Sequence, residues 1–168
     1  MSRTTVKIIE NDGQINDIAE LGNSWGSAAF VWSALGEKYF NDKYICVTGD
    51  SKKMWALVDD NRLSKAERVV LAFTFDYAII ENAHFTEAAK LFREFSEQFG
   101  KAGEANHLPA IANLLDAQSN FSNIGMCFQQ TSVAEDVWHE WDDESETEKP
   151  YDLSGNRHFF VFAEYGDK

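Results

Sequence analysis

Apolar and polar positions follow regular spacings along most of the chain. Thr4–Glu10 alternates between the two types and stops at the turn signal Asn11-Asp12-Gly13, which predicts a strand followed by a turn. Beyond this turn, apolar residues recur every three or four positions from Ile15 to Tyr39. That period places them on one stripe of a helix, so this stretch predicts a long helix.

The next part of the chain combines short apolar runs with one clear helix start. Lys43–Thr48 predicts a strand, and Ser51–Val58 predicts a short helix. Ser64-Lys65-Ala66-Glu67 fits a capping box, so a helix is expected to begin at Ser64. Val69–Ile80 is apolar on nearly every face and predicts a buried helix, with a buried strand as the alternative.

The second half of the chain predicts two helices and two strands. Phe85–Phe99 carries an apolar stripe that ends at a glycine, and Leu108–Ala117 has a proline in its first turn. Ile124–Thr131 and His158–Tyr165 predict strands, and the second is so apolar that it is expected at the centre of the sheet.

These elements predict an α+β fold. We expect one domain over residues 1–168, with a three- or four-stranded, mostly antiparallel sheet packed against four or five helices. The composition is 44% apolar and 26% charged, which is typical of a globular protein and excludes a disordered one. Residues 132–157 are expected to form an acidic connection between the last two strands.

Most of the net charge of −13 comes from one region of the chain. Between Ala102 and Glu148 there is no lysine or arginine, and eight acidic residues crowd into Glu135–Glu148. The remainder of the chain is nearly balanced. A local anionic field indicates a basic protein partner, and it disfavours direct binding to nucleic acid or an anionic membrane.

We expect the acidic stretch to be the partner-binding surface. Its two tryptophans would anchor the partner, and its carboxylates would steer it. Val137, Trp138 and Trp141 lie at helix spacing, which predicts a short helix; a solvated loop that only keeps the protein soluble is the alternative. The expected surface consists of Glu135, Asp136, Trp138, Glu140, Trp141, Asp142, Asp143, Glu144 and Glu146.

One pattern in the chain resembles a catalytic motif. Gly22–Gly26 fits G-x-S-x-G, with Ser24 as the nucleophile and Asp76 and His158 as downstream partners. The pattern falls within a predicted helix, where the sharp strand-to-helix turn that exposes such a serine does not form. We therefore expect no catalytic residue. Asp76 lies in the predicted buried helix, so its carboxylate needs a structural partner there or marks a functional site.

The spacing of histidines and cysteines predicts no metal site and no cofactor. Cys46 and Cys127 are expected to be thiols in a reducing cytoplasm, and neither a signal peptide nor a membrane span is apparent.

The expected function is that of a non-catalytic acidic inhibitor that neutralises a basic nuclease or nucleic-acid-binding protein. An immunity protein and a phage or plasmid DNA mimic directed against restriction or CRISPR enzymes share this physical character. One alternative is a small enzyme with a site around Ser24, Asp76 and His158. The other is a phage or complex-assembly accessory protein.

Overall fold

A five-stranded sheet lies at the centre of the computed structural model, which describes residues 3–22, 27–48, 50–100, 106–130, 137–155 and 157–168. The strand order is β2-β1-β4-β3-β7, and only the β3–β7 pair is parallel. A separate antiparallel hairpin is formed by β5 and β6. The strands are β1 Arg3–Ile9, β2 Ile15–Gly22, β3 Ala78–Glu81, β4 Gly125–Gln130, β5 Glu140–Asp142, β6 Thr147–Lys149 and β7 Phe159–Phe160.

Seven α-helices occur in the described ranges, together with a 3₁₀ turn at Asn82–His84. None of these helices is long and apolar enough to span a membrane. The helices are α1 Ala28–Phe40, α2 Ile45–Thr48, α3 Ser51–Leu57, α4 Lys65–Phe73, α5 Phe85–Phe99, α6 Leu108–Gln118 and α7 Val161–Tyr165.

The sheet is covered on both faces. Val6, Ile8 and Phe128 point to one face and pack in the main core with the helices. Ile9 and Cys127 point to the opposite face, because successive side chains alternate along a strand. The segment that follows β4 covers this second face with the side chains of Val137, Trp138, Tyr151 and Leu153. The acidic connection is therefore a structural layer of the fold.

The structure confirms the α+β class and several local predictions. The first and fourth strands and helices α3, α5 and α6 lie where the sequence patterns place them. The capping box also forms: the Ser64 hydroxyl accepts the Glu67 amide at 3.2 Å, and the Glu67 carboxylate accepts the Ser64 amide at 2.8 Å. The main sheet has five strands, whereas three or four were predicted. The described ranges contain seven α-helices, whereas four or five were predicted.

The predicted helix from Ile15 to Tyr39 is wrong in its first part. Ile15–Gly22 forms β2, which pairs antiparallel with β1 through a turn in which Gly13 has a φ of +84°. Because β2 is an edge strand, both of its faces are partly exposed and its apolar residues do not alternate strictly. The spacing therefore resembles a helical stripe by coincidence. The helix itself begins at Ala28.

Three further element predictions are corrected. Lys43–Thr48 contains the single-turn helix α2, preceded by a turn in which the Asp42 carboxylate accepts the Tyr44 amide at 3.0 Å. The apolar run Val69–Ile80 is divided, because α4 ends at Phe73 and β3 begins at Ala78. The run His158–Tyr165 provides only the two-residue edge strand β7 and then α7.

Candidate functional site

The acidic connection contains a β-hairpin in place of the predicted short helix. Strands β5 and β6 pair Trp141 directly with Glu148. At the tip, Glu146 adopts a left-handed conformation with φ of 52°. Asp142 accepts hydrogen bonds from the Ser145 hydroxyl at 2.9 Å and the Glu144 amide at 3.1 Å. These bonds lower the pKa of Asp142, so its carboxylate is ionised at neutral pH.

The hairpin, defined as residues 140–149, carries six carboxylates and one lysine. Glu140 pairs with Lys149 at 2.9 Å, and Glu148 pairs with the ring of His139 at 2.9 Å. In the part of the chain that the structure describes, three exposed carboxylates at the tip form no salt bridge. These are Asp143, Glu144 and Glu146. The hairpin thus retains most of the negative charge that the sequence places there.

The two tryptophans of the acidic stretch have different environments. Trp138 is only 2% exposed, so it is not available as an exposed anchor, which corrects its assignment to the binding surface. Its indole N–H donates to the Phe128 carbonyl at 2.8 Å, and its ring packs against Tyr77 and Tyr151. Trp141 is 57% exposed on the hairpin. The structure therefore leaves one exposed tryptophan among the carboxylates.

The base of the hairpin is tied to the sheet through His139. The Lys7 ammonium lies 3.0 Å from Nε2 of His139 and 2.7 Å from the Asp17 carboxylate. An ammonium only donates and a carboxylate only accepts, so Nε2 accepts from Lys7 and Nδ1–H donates to Glu148. Both ring nitrogens of His139 are therefore engaged.

The role of Lys7 was not predicted from the sequence. The lysine lies between the buried apolar residues Val6 and Ile8, and its side chain is 3% exposed. A lysine inside a buried strand requires a polar partner. From the sequence, this requirement could have identified Lys7 as a residue that bonds to another part of the chain.

A cleft of about 700 Å³ opens beside the base of the hairpin. Burial raises the pKa of Tyr151 to about 12, and its hydroxyl lies 3.2 Å from Nδ1 of His158. Burial also lowers the pKa of His158, which favours its neutral form. The polar and aromatic residues lining the cleft include Tyr77, His139, Glu140, Lys149, Tyr151, Asp152 and Arg157.

Among the described residues, Asp76 and His158 of the predicted catalytic alternative do not share a site. Asp76 is exposed in the turn between α4 and β3, so it needs no buried partner, contrary to the prediction. It lines a small pocket beside Trp32, whereas His158 contacts Tyr151 and Phe160. Ser24 lies outside the described residues. The alternative of an enzyme stays a prediction.

Two of the predicted binding residues, Glu135 and Asp136, also lie outside the described ranges. The remaining acidic members of the predicted surface fall within the hairpin. Both cysteines are free thiols, with Cys127 buried and Cys46 half-buried. Within the described ranges, no group of three or more histidine, cysteine or acidic side chains is placed to hold a metal ion.

No protein-family model, curated protein sequence or solved structure matches this chain.

Proposed function

We propose that this chain is a non-catalytic protein that binds a basic protein through the hairpin and blocks the surface that the partner uses for nucleic acid. The observation that carries the proposal is the combination of exposed, unpaired carboxylates at the hairpin tip with the exposed indole of Trp141. Carboxylates on an exposed hairpin fit a groove that normally binds phosphates. The partner class is a nuclease or another nucleic-acid-binding protein.

The division of roles within the hairpin follows from its geometry. Trp141 and Glu148 share one face of the hairpin, whereas Glu140 and Asp142 point to the other. Trp141 provides the apolar contact area that anchors a complex, and the tip carboxylates provide long-range attraction. The contact of His139 with Lys7 holds the base of the hairpin against the sheet. The charged tip is thereby carried on an ordered support.

Two biological settings fit this physical character. One is an immunity protein that neutralises a nuclease toxin, and the other is a phage or plasmid DNA mimic that blocks restriction or CRISPR enzymes. In both settings the partner's phosphate-binding groove is occupied by carboxylates. A nuclease partner would lose activity in proportion to the bound fraction.

The test is direct binding to a panel of purified basic nucleases and DNA-binding enzymes over a range of salt concentrations. The hairpin variant is D143N/E144Q/E146Q. The matched control is E37Q/E97Q/E164Q, which removes three exposed helical carboxylates and has the same net charge. We expect the hairpin variant to lower the association rate about tenfold and to flatten its salt dependence, while the control leaves both unchanged.

Replacement of Trp141 by alanine tests the anchor separately. We expect the dissociation rate to rise about thirtyfold with little change in association rate, as for a typical hot-spot residue. If no basic protein binds, or if binding is indifferent to salt, the proposal fails. Equal losses in the hairpin variant and its control would show that net charge matters and the hairpin does not.

A further inference from the structure

The cleft of about 700 Å³ beside the base of the hairpin has the volume of a small-molecule site, which is roughly 300–1,000 Å³. The proposed binding of a basic protein makes no use of this cleft. The rings of Tyr77 and Tyr151 form two of its walls, and both pack on Trp138, with ring centroids 6.1 Å and 5.1 Å away. Because Trp138 is buried and hydrogen-bonded, these aromatic walls are fixed before a ligand arrives.

Tyr77 is held in a backbone conformation that bulky residues rarely adopt. Its φ is +65°, in the left-handed region, where glycine and asparagine are common. Its side chain is half-buried, and within the described ranges its hydroxyl forms no hydrogen bond. Strained residues cluster at binding sites, and a half-buried hydroxyl normally has a partner. Both observations indicate that the Tyr77 side chain contacts a ligand in the cleft.

The charges around the cleft disfavour a charged ligand. Besides the ring of His139, whose two nitrogens are engaged, the described lining contains two carboxylates and two cations. These are Glu140, Asp152, Lys149 and Arg157. An anion would meet both carboxylates and the acidic hairpin beside them, and a cation would meet the ammonium and the guanidinium. The cleft therefore favours a neutral ligand.

Donors and acceptors both remain available on these charged side chains. Arg157 is exposed and forms neither a hydrogen bond nor a salt bridge with the rest of the described chain. Lys149 has three N–H donors and directs one to Glu140 at 2.9 Å. The Asp152 carboxylate accepts the Ser154 amide and hydroxyl through the same oxygen, Oδ1, at 2.9 Å and 2.6 Å. A neutral ligand that bonds to both kinds of group has to donate and accept, and a hydroxyl group does both.

We propose that this cleft binds a neutral sugar. A sugar ring has an apolar C–H face, which packs on the tyrosine rings, and hydroxyls around its rim, which bond to Tyr77, Arg157 and Asp152. Because Glu140 and Lys149 belong both to the hairpin and to the lining of the cleft, the bound sugar lies beside the base of the hairpin. This binding does not require the basic partner of the proposed function.

Saturation-transfer NMR with a panel of neutral sugars tests the proposal. The panel is glucose, galactose, mannose, maltose, lactose and cellobiose, and we expect at least one to bind with a dissociation constant of about 1 mM or below. The acid and amine derivatives of the sugar that binds carry one charge on the same ring, and each should bind at least about fivefold more weakly. The proposal is overturned if no sugar of the panel binds at about 50 mM, or if a charged derivative binds more tightly than its neutral parent.

Two substitutions place the binding in the cleft. Tyr77→Phe keeps the ring and removes the hydroxyl, so binding should weaken about fivefold, whereas Arg157→Gln removes a charged donor and should weaken it about tenfold. Tyr44→Phe, at an exposed tyrosine, and Arg62→Gln, between α3 and α4, make the same chemical changes elsewhere and should leave binding unchanged. Unchanged binding in both cleft variants would overturn the assignment of the cleft.

The hairpin variant D143N/E144Q/E146Q separates this inference from the proposed function. Its three carboxylates do not line the cleft, so it should bind the sugar as the unmodified chain does while its association with a basic protein slows. Sugar binding by a chain that binds no basic protein would leave this inference standing and reject the proposed function. Binding to a basic protein without binding to any sugar of the panel would do the opposite.

Discussion

Replacing Trp138 and Trp141 by alanine, one at a time, should separate folding from binding. The two residues are three positions apart in an acidic stretch, yet Trp138 is 2% exposed and Trp141 is 57% exposed. Trp138 closes the second face of the sheet and donates its indole N–H to the Phe128 carbonyl at 2.8 Å. Alanine at position 138 therefore removes both packing and a hydrogen bond, whereas alanine at position 141 removes an exposed ring.

The expected loss in the free energy of unfolding differs severalfold between the two alanine variants. Trp138→Ala should lower the free energy of unfolding by about 3–5 kcal/mol, the range for deleting a large buried aromatic side chain. About 1 kcal/mol of this comes from the lost hydrogen bond. Trp138→Phe retains a ring and should lose only about 1–2 kcal/mol. Trp141→Ala should change the free energy of unfolding by less than about 0.5 kcal/mol.

Urea-induced unfolding followed by far-ultraviolet circular dichroism measures these differences. Tryptophan fluorescence is unsuitable because each substitution removes one of the five tryptophans and so changes the signal itself. If Trp138→Ala does not fold, Trp138→Phe still gives a measurable value. The reasoning is refuted if Trp141→Ala destabilises the chain as much as Trp138→Ala, or if both have no effect.

Three further substitutions test contacts elsewhere in the fold. Arg68 is buried and donates to three backbone carbonyls. Arg68→Met should therefore lower the free energy of unfolding by about 3 kcal/mol, measured by thermal denaturation. An unchanged melting temperature would contradict this. Burial alone would raise the pKa of Glu67, but hydrogen bonds from Lys38 and Ser64 outweigh it and hold the pKa below its ordinary value of 4.5. The unfolded chain therefore takes up this proton first, and stability should fall as the pH drops below 4.5 towards the folded-state value; Glu67→Gln should make that decline shallower in acid titrations of unfolding. The Glu81 carboxylate accepts the amides of Phe162 and Ala163 in the first turn of α7. Glu81→Ala should therefore lower the free energy of unfolding by about 1 kcal/mol in urea, and no loss would contradict its capping role.

The elements that were predicted correctly are those whose signals are local. The capping box at Ser64 depends on side chains three residues apart, and both of its hydrogen bonds form. The stripe of Phe85–Phe99 repeats over four turns and packs in the main core. Such signals do not depend on distant parts of the chain, so the sequence alone suffices to identify them.

The wrong predictions concern elements that distant contacts determine. The run Val161–Tyr165 has strand-like composition, but Glu81 from β3 accepts the amides of Phe162 and Ala163 and caps a helix there. Ile15–Gly22 is a strand because β1 pairs with it. For the candidate site, the acidic composition of the hairpin was visible in the sequence. The burial of Trp138 was not, because it depends on a sheet face formed by Ile9 and Cys127, far away along the chain.

The segment that carries the hairpin also completes the interior of the protein, with Trp138 before the hairpin and Tyr151 and Leu153 after it. Excision of the whole segment would remove Trp138, Tyr151 and Leu153 from the protein, and the remaining chain would expose Ile9 to water. A single protease cut at the tip would instead leave each leg attached to the body. Cleavage there should open the loop while the fold persists, whereas excision of the whole segment should promote aggregation through the uncovered sheet.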